Sequence, residues 1–211
     1  MKISRFFPFI AALCLVAGCN LSVNKSIYIP DGEKINGSRN TINGNITIGK
    51  NCKIMGDCRS INGSIRVGEN TEVQGLQVVN GTIFISSNVV VGGEVKSVNG
   101  SVESLRGTEI GGNLSTVNGD IKIRKTKVMR NITTYNGDIF IKDTSLVRGN
   151  IIIKRSKGNS GRNRNLEIRI VNNSIVKGDI VVKDERINVT VIVENGGEVK
   201  GTISGAEVVR R

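Results

Sequence analysis

Residues Asn62 to Ile83 read NGSIRVGENTEVQGLQVVNGTI, and this stretch decides the architecture. Ile65 and Val67 flank Arg66, and Thr71 and Val73 flank Glu72, so each short segment has one inward and one outward side. Gly68 to Asn70 turns the chain between them, and Gly75 turns it again. Leu76 and Val78 form a third side before Asn80-Gly81 opens the next unit. Three short strands and three corners make a triangle.

The unit repeats along the chain. Asn-Gly pairs begin at Asn43, Asn62, Asn80, Asn99, Asn118 and Asn136, at steps of 18 or 19 residues. A second glycine column runs through Gly56, Gly75, Gly93 and Gly112, gives way to Arg130, and resumes at Gly149. Asn-Gly suits a corner that needs positive φ, so its return places one corner at the same angle in every coil. The expected fold is all-β: a single-stranded parallel β-helix, or solenoid, of 18–19 residues per coil with three short strands, its coils about 4.8 Å apart. No coil can bury its Ile and Val face alone, so stability must come from stacking.

Composition agrees. The 211 residues include 26 Gly, 2 Pro, no Trp and no His, and beyond the first 20 positions no apolar run reaches the length of a membrane-spanning helix. The period is interrupted between Gly149 and Gly178, where a basic loop at 155–165 replaces the expected corner and carries Arg155, Lys157, Arg162 and Arg164. A smaller bulge is expected around Asp184 to Arg186, and Gly205 to Arg211 is expected to close the open end, where charges discourage edge pairing. The inward asparagines Asn43, Asn62, Asn80, Asn99, Asn118 and Asn136 are expected to stack as a ladder of side-chain amides.

The first 20 residues read as an address. Lys2 and Arg5 precede an apolar stretch, Phe6 to Val16, too short to cross a bilayer, and Ala17-Gly18 supplies a small-residue cleavage point. Val16-Ala17-Gly18-Cys19 resembles the lipobox of bacterial lipoproteins, which implies a signal peptide over 1–18 and a lipid on Cys19. Asn20 in the next position resembles cargo of the outer membrane. Residues 19–40 are then the lipidated tether and N-terminal cap, and 41–211 the solenoid; the expected partner is a membrane, through acyl chains that anchor stably when two or more are present.

Within the repeats, Val67-Gly68-Glu69-Asn70-Thr71-Glu72-Val73-Gln74-Gly75 resembles the coil motif of bactofilins, polymer-forming cytoskeletal β-helix proteins. Thr116-Val117-Asn118-Gly119-Asp120-Ile121 looks like the repeat of exported putative-adhesin proteins. The first resemblance implies a right-handed helix associating end to end; the second implies an extracytoplasmic solenoid and fits the address better.

Without histidine, triads, His-based acid/base schemes and His metal sites are excluded. Asp120 and Asp138 occupy equivalent positions of adjacent coils, where two carboxylates serve glycan hydrolysis or Ca²⁺, or are ordinary turn formers, the reading preferred here. Cys52 and Cys58 are either a disulfide or, as the spacing favours, two buried thiols. Net charge is +12. The basic loop therefore suits anionic lipid headgroups or an acidic envelope polymer, whereas nucleic acid is not expected without interleaved aromatics. No cofactor, catalytic residue or metal site is expected. The sequence reads as a non-catalytic outer-membrane lipoprotein presenting a rigid solenoid for surface, adhesion or scaffolding contacts.

Overall fold

The computed structural model describes residues 20–155 and 164–211, and the regular structure in them is all β. Every paired strand lies parallel to its neighbours, one coil away in sequence, which is a parallel β-solenoid. The first wall is a ten-stranded sheet running from Ile27–Ile29 to Glu207–Arg210. The other two walls share one 17-stranded sheet, because Lys53–Asn62 and Glu72–Asn80 each run across both. Gly56 and Gly75 sit at that shared corner without left-handed backbone, so the bend is shallow enough for the strand to continue through it.

The register follows the sequence period. On the first wall Ile46, Ile65, Ile83, Val102, Ile121, Ile139, Ile168 and Val191 form one inward column, each at most 1% exposed. β-branched side chains fit a pleated surface buried on one side, and each buried one contributes about 1.5–3 kcal/mol. The outward column, Thr47, Arg66, Phe84, Glu103, Lys122 and Phe140, carries no repeated chemistry, as the sequence predicts.

Hydroxyls fill the inner corners. Thr71, Thr108 and Thr126 are buried in one column, and the hydroxyls of Thr71 and Thr108 each donate to a carbonyl of the preceding coil at 3.0 Å. At the Asn-Gly corner Thr41, Ser60 and Ser97 donate likewise to Lys25, Gly44 and Gly81. Buried carbonyls that turning strands leave free are thereby satisfied.

Three details differ from the sequence reading. The stretch 20–40 is itself a coil: Asn20–Val23 pairs with Arg39–Ile42, and Ile27–Ile29 with Ile46–Ile48. Its aliphatics keep the inward spacing even though no Asn-Gly announces it. A β-bulge between Ile54 and Asp57 absorbs the change from 19 to 18 residues per coil and leaves Met55 65% exposed. The corner asparagines point outward, not inward, because the hydroxyl column already occupies the inside of that corner.

Candidate functional site

At the Asn-Gly corner the amide nitrogen of Asn43 donates to Oδ1 of Asn24, and each later asparagine donates to the one before it, through Asn62, Asn80, Asn99, Asn118 and Asn136, at 2.6–2.9 Å. The column is longer than the six expected residues. Asn24 begins it, and Asn165 and Asn188 continue it beyond the basic loop, bonded to each other at 3.2 Å. None of these three is followed by glycine, so a search for Asn-Gly misses them. The signal they share with the other six is the spacing Asn-x-x-aliphatic, as in Asn165 to Ile168 and Asn188 to Val191.

Asp120 and Asp138 belong to the next column. Oδ1 of Asp120 accepts the backbone N–H of Asp138 at 3.1 Å, and Oδ1 of Asp138 accepts that of Glu167 at 2.8 Å. Ser26, Asn45, Ser64 and Ser101 accept an N–H from the following coil in the same way. The two carboxylates are thus spacers between rungs, which is the turn-former reading. Beside them an open hollow is lined by Glu103, Asp120, Lys122, Arg124, Phe140 and Lys142. Lys122 and Lys142 lie 5.8 and 5.6 Å from the Phe140 ring centre, so that ring is used up on its own neighbours.

Of the four loop cations, Arg155 is exposed and Arg164 is half-buried, its guanidinium donating to Oδ1 of Asn136. Lys157 and Arg162 lie outside the described residues, as does Cys19. Arg164 therefore interrupts the run of amide bonds between Asn136 and Asn165. Asp184, 1% exposed, holds Arg186 through two hydrogen bonds of 2.6 and 2.7 Å and closes the small bulge there.

Cys52 and Cys58 are buried, unbonded thiols. Cys58 stands beneath Leu76 in the third wall, and burial pushes its thiol up to about 12; the neighbouring Asp57 adds to the rise and Arg39 opposes it. Burial therefore keeps the Cys58 thiol protonated and unreactive at neutral pH. Among the described residues no group of three or more Cys, Asp or Glu is placed to hold a metal, and no helix is long and apolar enough to cross a membrane.

The sequence reading overlooks the surface of the first coil. Leu21, Val23 and Tyr28 are 49%, 58% and 69% exposed, and a hollow beside them is lined by Lys25 and Arg39. They flank the Asn24 corner on two walls. Compared with family models, curated proteins and solved structures, the chain finds no match.

Proposed function

We propose that the protein is a non-catalytic cell-envelope lipoprotein, held by a lipid on Cys19 at the outer membrane, whose rigid solenoid presents surfaces for adhesion or scaffolding. The observation that carries this reading is the use of its polar groups. The carboxylates and amides repeated down the columns are consumed by rung-to-rung hydrogen bonds, as at Asp120, Asp138 and the asparagines, which leaves walls built for stiffness. An extended, stiff object at the end of a lipid suits contact rather than turnover. The absence of histidine points the same way.

The test is acylation followed by fractionation. In cells fed a labelled fatty acid, the full chain takes up label and sediments with outer membranes, and Cys19→Ser abolishes both. Unlabelled wild-type protein recovered in a soluble fraction overturns the reading.

A bactofilin-like polymer is the second reading, favoured by one observation. Among the described residues, strands at the end of the solenoid, such as Glu207–Arg210, pair on one side only and leave a backbone edge for a second copy. Electron microscopy of the acyl-free domain distinguishes the two, since filaments support the polymer and isolated rods support the presenter.

A further inference from the structure

We infer that the first coil is a membrane-docking surface, so that the solenoid rests its N-terminal end on the bilayer instead of swinging from a tether. This deepens the proposed lipid anchoring and rests on it. Among the described residues, three of the six exposed large hydrophobic side chains, Leu21, Val23 and Tyr28, fall within eight residues of one another in that coil. Val23 continues, in the column of Ile42, a line of outward aliphatics that is half-buried in later coils and open here. Among the described residues nothing covers these three.

What covers them is set by where the chain comes from. Asn20 is already in the strand Asn20–Val23, held in parallel register against Arg39–Ile42. No linker separates that strand from Cys19. A diacylglycerol on Cys19 therefore enters the bilayer within a residue or two of Leu21, and the first coil is brought to the headgroup layer with it. Tyr28 has an apolar ring and a polar hydroxyl, the combination that settles at a membrane interface. Lys25 and Arg39 line the hollow beside Leu21 and Tyr28, where long aliphatic stems lie along apolar surface while the cationic heads reach phosphate. Asp31 and Glu33 on the same coil lie beyond Ile29, away from the Asn24 corner. The partner is an anionic bilayer, and the acyl chains supply the strength while the coil supplies orientation.

The chain contains no tryptophan, which makes the test clean. Tyr28→Trp and, separately, Val208→Trp in the last coil each introduce a single emitter in the full, acylated protein. Each is reconstituted into vesicles of phosphatidylethanolamine and phosphatidylglycerol, with and without brominated acyl chains. The expected result is a blue shift and bromine quenching for Tyr28→Trp, and neither for Val208→Trp, some nine rungs of about 4.8 Å away. Leu21→Ser with Val23→Ser should relieve the quenching of Tyr28→Trp while flotation with vesicles persists. Protein that floats but shows no quenching at Tyr28→Trp overturns the docking and leaves the anchor standing. Protein that does not float removes the anchor and the docking together.

Discussion

Gly119 turns with φ at 146°, and a Cβ built there would lie 2.5 Å from the carbonyl oxygen of Gly100 in the coil below. Gly119→Ala must push two rungs apart, so we expect a loss of about 1–3 kcal/mol, read as a fall of several degrees in melting temperature. Asn99→Ala with Asn118→Ala removes three exposed amide bonds from the column. The expected cost is about 1.5–3 kcal/mol, since each such bond is worth about 0.5–1 net at a solvated site; unchanged melting would refute the ladder's contribution. Cys58 gives a pH-dependent counterpart. Its folded value is raised above the ordinary 9.0, so the unfolded thiol ionises first. Stability from this group is complete below pH 9 and is lost as pH climbs from 9 toward 12. Denaturant melts at pH 8 and pH 10.5 should show a steeper decline for the wild type than for Cys58→Ala.

At the scale of the coil, the repeat was legible because stacking requires the same residue class at the same angle in every turn. Ile65, Ile83 and Ile121 announce the register that the strands adopt. The corner was harder to read. Alternation carried through Val78, Val79 and Asn80 points the asparagine inward, yet the turn at Gly81 breaks that alternation. The first coil was unreadable by its corners, since Lys25 follows Asn24 where the next six coils place glycine. Its Ile27 and Ile29 were the signal that remained. Because Asn99 and Asn118 are register partners, deleting residues 100–118 joins Asn99 to Gly119 and removes one coil without disturbing its neighbours. We expect that variant to fold, with the same far-ultraviolet dichroism per residue and a cooperative melt. Deleting residues 100–109 instead leaves half a coil and should yield insoluble protein, because every following aliphatic is then set at the wrong angle.

Across the whole molecule, stability should fall off toward both ends, as nearest-neighbour stacking gives interior coils two partners and terminal coils one. Hydrogen exchange should be slowest on Ile83–Ile85 and Ile121–Arg124 and fastest on Glu207–Arg210. Uniform protection along the axis would contradict this. The asparagine column adds a property that belongs to the molecule as a unit. All six amide bonds from Asn24 to Asn136 run in one sense, each N–H aimed at the coil before it. Aligned amide dipoles sum, as they do along an α-helix. The cationic guanidinium of Arg164 sits at the oxygen-bearing extremity, at Asn136, as a lysine or arginine does at a helix C-terminus. The opposite extremity, at Asn24, is the start of the run and carries the partial positive end of the aligned amides, so the run is electrically polar and places that pole at the corner flanked by Val23 and Tyr28.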